Sequence, residues 1–161
     1  MTIPNNYKSV VKKGVVASIA AGPLGAFAGP FDAGAIGTLW TTMFIAIADK
    51  AGHKLDADYI KKFIASSGTG AAAYYAGCKV ATWVFHLIPG AGTLLAMGIS
   101  SLMNSIFTLK FGSVIANSFE KDDFELDDAA VAAASVLSAL CTLPTLSEWK
   151  ELFEIRRLTT T

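Results

Sequence analysis

A chain of 161 residues is long enough for one domain with its own core, yet only 16% of it is charged and 53% is apolar, against about 25% charged in an ordinary soluble domain. Thirteen basic and thirteen acidic residues cancel, so no overall attraction to nucleic acid arises and none is expected as a partner. The missing polar surface has to be made up by lipid, by further copies of the chain or by another partner.

The first helix is expected from about Tyr7 to Ala28, capped by Asn5 or Asn6 and kinked or broken where Gly22–Pro23 interrupts the hydrogen-bond ladder. Lys8, Lys12 and Lys13 ahead of an apolar run superficially suggest a signal peptide. The run leads into another apolar segment without a clear cleavage site, and is therefore read as part of the mature, non-secreted fold. A proline–glycine turn over Gly29–Gly34 follows, with Pro30, Asp32 and Gly34 as its tip residues. A second helix over Ala33–Lys50 then places Ile36, Leu39, Trp40, Met43 and Ile47 at helical spacing, with Gly52 as its stop. These arms make a first hairpin over about residues 7–50.

Asp56 caps a short amphipathic helix with Tyr59, Ile60, Phe63 and Ile64 on one side and Lys61 and Lys62 on the other. After the hinge at 66–70, a second hairpin spans about 71–119, with arms over about 71–87 and 93–119. Its tip is formed by Pro89, Gly90 and Gly92. The C-terminal helices span about 128–158. The first, Ala129–Thr142, has Asp127 and Asp128 at its positive end. The last opens with the capping-box spacing of Thr145 and Glu148 and places Leu146, Trp149, Leu152 and Phe153 on one side. No strand alternation competes, so the chain reads as a single all-α domain of two proline/glycine-tipped hairpins plus short amphipathic and C-terminal helices.

Charge placement bears on where such a chain resides. Lys8, Lys12, Lys13, Lys50, Lys54, Lys61, Lys62 and Lys110 fall at the open ends of the hairpins, whereas Asp32 is the one charge at the tips. In a bilayer the positive-inside rule turns the open ends to the cytoplasm, giving a cytoplasmic-membrane protein. Against this, the arms are near the lower limit of the roughly 20 residues needed to span, and Lys79 lies mid-arm, costing about 2.5–3.5 kcal/mol at a helix centre. A helical bundle in the cytoplasm, monomeric or built from copies of itself, is the alternative.

The order Pro30-x-Asp32, Leu39-Trp40-x-x-Met43, then Ile88-Pro89-Gly90-x-Gly92 and Thr108-Leu109-x-Phe111-Gly112 resembles the uncharacterised YcjF-like domain often fused or adjacent to small GTPases in bacteria. The resemblance covers roughly Val15–Phe119, about two-thirds of the chain. It implies a helical, membrane-associated module with a GTPase partner, and brings no established catalytic residues. This chain holds no phosphate-binding G-x-x-x-x-G-K-[ST] loop, since Gly68–Thr69–Gly70 lacks both the lysine and the strand context. Any GTPase would therefore act in trans.

Little in the sequence converges on chemistry. His53 and His86 lie in different parts of the pattern, and the carboxylates from Glu120 to Asp128 lack the glycine and spacing of a calcium loop. Cys78 and Cys141 read as buried reduced thiols. No cofactor, metal or enzymatic activity is expected. Gly25 and Gly29, echoed by Ala73 and Gly77, have the small-residue spacing that lets helices approach closely, within one chain or between copies in a homo-oligomer. Ser100, Ser101, Asn104 and Ser105 share one face of an otherwise apolar helix, forming a polar seam that suits an interhelix hydrogen-bonded contact better than a pore lining. The leading expectation is a non-enzymatic membrane-associated or self-assembling protein that remodels membrane or scaffolds a GTPase. The alternative is a soluble bundle that binds a lipid or other hydrophobic ligand.

Overall fold

The computed structural model describes residues 2–28, 31–63, 65–66, 92–121, 129–140, 142 and 144–159. Its elements are α1 (Lys8–Ala28), α2 (Phe31–Lys50), α3 (57–63), α4 (Gly92–Glu120), α5 (Ala129–Leu140) and α6 (Leu146–Thr159). The fold is all-α, and among the described residues there is no strand. The expected arm over 71–87 lies outside the described residues, as do Gly29, Pro30, Ala73, Gly77, Pro89 and Gly90. Asp32 and Gly34 fall in the first turn of α2, Gly25 within α1, and Gly92 opens α4.

Local signals fix several helix ends. Gly52 takes a positive φ of 85°, where a side chain would be strained, and its neighbour's N–H closes back from His53 to the Ala48 carbonyl at 2.9 Å. The Asp56 carboxylate accepts the Tyr59 N–H at 2.6 Å and caps α3. At α6 the box closes both ways: Thr145 N–H donates to Glu148 Oε2 at 2.6 Å, and Glu148 N–H to Thr145 Oγ1 at 3.3 Å.

α4 is the centre of the molecule, buried at every position from Asn104 to Ser113. α1 runs antiparallel beside it: Ser101 meets Ile19, Gly112 meets Val11, and Asn117 Nδ2 donates to the Thr2 carbonyl. α2 runs parallel to α4, with the Trp40 ring stacked 4.9 Å from Phe111 and Phe44 6.3 Å from Phe119. Tyr7 just ahead of α1, then Val11, the adjacent pair Gly14 and Val15, and Ser18 follow one another at about a helical turn and are buried. They meet Met43, Phe44 and Ile47 of α2 and Ile106, Leu109 and Ile115 of α4 in one core.

Two glycines let these helices approach. A Cβ on Gly112 would lie 2.8 Å from Val11 Cγ1, and one on Gly14 would lie 2.7 Å from Met43 Sδ. α3 closes the Lys50 end of α2, where Phe63 stacks on Phe44 at 4.4 Å.

α1 ends at Ala28 as expected and, of the kink or break expected at Gly22–Pro23, the break does not occur; the reason lies in the polar seam described below. A further expectation needs correction. The last helix does not gather Leu146, Trp149, Leu152 and Phe153 on one side. Leu152 is wholly buried, while Leu146 and Phe153 are 75% and 57% exposed. At 100° per residue, Leu152 shares a face with Glu148 and Ile155, whereas Leu146 and Phe153 point the other way.

Candidate functional site

The polar seam of α4 is where the fold concentrates buried polar chemistry. Ser100, Ser101, Asn104 and Ser105 are all buried, and Thr108, Lys110 and Ser113 extend the series toward the C-terminal end of the helix. Helical spacing turns Ser101 toward α1 and Thr108 toward α2, whereas Lys110 faces Thr142 past the end of α5.

Ser101 Oγ donates to the Ile19 carbonyl of α1 at 3.2 Å. Ile19 is four residues before Pro23, so its carbonyl is the acceptor that the missing proline N–H would have served. A seam hydroxyl from the neighbouring helix takes that place, which is how α1 continues through a residue that ordinarily interrupts a helix. Ser105 Oγ returns to the Ser101 carbonyl at 2.6 Å. One turn on, the Trp40 indole N–H donates to Thr108 Oγ1 at 3.0 Å and joins α2 to the same seam.

Lys110 was expected at an open, watery end. It is 2% exposed, and its ammonium donates to the Thr142 carbonyl and, at 2.9 Å, to Thr142 Oγ1. Thr142 lies just past the end of α5, where unpaired carbonyls carry the negative pole of the helix. A cation from the central helix thereby caps the C-terminus of α5, a role that depends on a neighbour about thirty residues away and leaves no local mark in the sequence. The Ser113 hydroxyl is buried without a hydrogen-bond partner among the described residues.

This arrangement ties helices together. Among the described residues no group of three or more His, Cys, Asp or Glu side chains is placed to hold a metal ion. His53 is exposed with its ring 5.4 Å from Phe119; His86, Cys78, Cys141 and the acidic residues from Asp122 to Asp128 lie outside the described residues. Gly14 and Gly112, at the tightest approach of α1 to its neighbours, were not singled out as packing residues from sequence. The spacing rule that picked Gly25 and Gly29 looks for pairs four apart, and these two belong to different helices.

The fold also gathers two kinds of surface. α1 carries no charge from Gly14 to Ala28, α2 none from Ala33 to Ala48, and α4 none from Gly92 to Leu109. With α1 antiparallel to its two neighbours, these stretches lie together at one end of the bundle, where Asp32 in the first turn of α2 is the single charge among the described residues. Lys8, Lys12, Lys13, Asp49, Lys50, Lys61, Lys62, Glu120 and Lys121 lie toward the other. Residues on the outside of the uncharged end include Val16, Ala17, Ala20, Ala35, Thr38 and Thr42. The hydroxyl of Thr42 bonds back to the Thr38 carbonyl at 2.9 Å, and that of Thr41 to Gly37 at 2.8 Å.

Among the described residues one helix segment, Met97–Glu120, is long and apolar enough to cross a membrane, but 78% of its apolar window is buried inside the protein. No family model, curated protein or solved structure matches the chain.

Proposed function

We propose that this protein is a non-enzymatic helical module seated in the cytoplasmic membrane by the uncharged end of its bundle, with the lysine-rich end in the cytoplasm. The observation that carries the reading is the segregation of charge along three packed helices. The uncharged stretch of α1 rises about 22 Å and that of α4 about 27 Å, somewhat less than the roughly 30 Å of hydrocarbon. Exposed Thr42 and half-buried Thr41 of α2 satisfy their hydroxyls on their own helix, which suits a surface without water. Buried polar groups serve helix contacts, in keeping with a structural role such as membrane remodelling, self-assembly or support of a GTPase in trans.

The burial of α4 favours a second reading, a soluble bundle that takes up a lipid or other hydrophobic ligand, because a central helix already covered by protein does not need a bilayer. Carbonate washing of membranes from cells making the full chain separates the two. Retention in the pellet, with flotation alongside vesicles, is the expected result. A monodisperse monomer in the supernatant without detergent would overturn the membrane seat in favour of the soluble bundle.

A further inference from the structure

α6 carries three acids and three bases, and its sequence is formally neutral. The fold divides them unequally. Glu148 is 6% exposed and closes the capping box with Thr145; Glu151 turns toward α1 and pairs with Lys8 at 3.6 Å. Glu154 is then the one acid left on the outer face, beside the exposed cations Lys150 and Arg157.

The same outer face holds Leu146 and Phe153, two of the three large hydrophobic side chains exposed among the described residues. They lie seven residues apart, about 10 Å along one side of the helix. Half-buried Trp149 stacks against Phe153 with ring centroids 6.1 Å apart and widens the apolar stripe. An exposed leucine and aromatic stripe edged by cations is the pattern of a helix lying in a headgroup layer.

Its position along the bundle fits that layer. Lys110, the first charge after the uncharged stretch of α4, holds Thr142, and α6 begins four residues later. The pairing of Glu151 with Lys8 holds the middle of α6 beside the first turn of α1. The helix is therefore anchored at two points near the boundary between the two surfaces, Thr142 to Lys110 and Glu151 to Lys8, on the side of the lysines.

We propose that the outer face of α6 docks on anionic lipid headgroups, with Leu146, Trp149 and Phe153 entering the interface and Lys150 and Arg157 pairing with phosphates. The inference rests on the membrane seat proposed above. Net cationic charge on the exposed face favours an anionic surface over a basic or purely apolar partner.

The test uses the full chain with Cys78 and Cys141 replaced by alanine and an environment-sensitive fluorophore on Ser147→Cys, beside the stripe. It is reconstituted into phosphatidylcholine vesicles and into an equimolar phosphatidylcholine–phosphatidylglycerol mixture, with vesicle flotation and iodide quenching measured on each sample. The expected result is shielding of the probe in the mixed vesicles, with the ratio of shielded to open probe falling about fivefold for each cation removed in Lys150→Gln and Lys150→Gln with Arg157→Gln. Leu146→Ser with Phe153→Ser should lower shielding in both lipids at unchanged circular dichroism.

Protein that floats with vesicles while the probe stays equally open to iodide in both lipids overturns this docking alone. Protein that floats with neither vesicle overturns the membrane seat as well. Shielding that rises with protein concentration and ignores both lipid and cations overturns it in favour of a second copy covering the stripe.

Discussion

The bond between Ser101 and Ile19 makes a prediction that only a double substitution exposes. In the native chain Ser101→Ala removes a 3.2 Å hydrogen bond and leaves the Ile19 carbonyl without either the hydroxyl or the N–H that Pro23 lacks. A neutral hydrogen bond is worth about 0.5–1.5 kcal/mol net, and more where an acceptor is stranded. Ile19 is half-buried, so a loss of about 1–1.5 kcal/mol is expected, offset by about 0.5 kcal/mol from the better helix propensity of alanine. In a Pro23→Ala background the new N–H reaches Ile19, and the same Ser101→Ala change becomes neutral or slightly stabilising. The coupling is then about 1–1.5 kcal/mol, clear of the roughly 0.3–0.5 kcal/mol scatter of independent sites. Pro23→Ala alone should stabilise, because an interior proline costs up to about 3 kcal/mol. All four proteins are unfolded by urea in one detergent and followed by far-ultraviolet circular dichroism. An equal cost of Ser101→Ala in both backgrounds refutes the view that the seam substitutes for the proline's missing donor.

Other substitutions read different parts of the same packing. Ser113→Ala removes a buried hydroxyl that has no partner among the described residues and should stabilise by about 0.5–1 kcal/mol, raising the unfolding temperature by about 1–4 °C. Gly98→Ala, where a Cβ meets nothing within 4 Å, should stabilise by up to about 1 kcal/mol. Gly112→Ala meets Val11 at 2.8 Å and should instead lose about 1–2 kcal/mol relative to that control in the same urea titration. Lys110→Met keeps the length of the side chain but strips Thr142 of its cation, and should cost about 1.5–3 kcal/mol with amide exchange quickening first in α5.

The features legible in the sequence were those decided locally. Gly52 as a stop, Asp56 as a cap and the Thr145–Glu148 box each depend on residues within a few positions, and each takes its expected geometry. The all-α class follows from the same spacing. The four-residue seam was legible as a shared face because helical periodicity alone places it. Its extension was not, since Thr108 looks ordinary until the Trp40 indole of α2 reaches it and Ser113 looks ordinary until the fold buries it. Lys110 misled because a lysine in sequence carries no sign of a helix end waiting beside it. Grouping Leu152 with Leu146, Trp149 and Phe153 failed because at 100° per residue Leu152 turns inward with Ile155 while Leu146 and Phe153 face outward. The continuity of α1 through Pro23 needed a hydroxyl from a helix nearly eighty residues away.

Solvent access along α1, α2 and α3 tests the membrane seat most directly. Ala17, Ala20 and Ala35 are exposed at the uncharged end, and Ala57 is exposed at the charged end, so protein packing alone gives all four free access to water. Single cysteines at these positions, with Cys78 and Cys141 removed, are challenged with a membrane-impermeant maleimide in inverted vesicles, whose outer face is cytoplasmic. The account predicts rapid labelling at position 57 and protection at 17, 20 and 35 that detergent abolishes. Equally rapid labelling at all four positions in intact vesicles would contradict it.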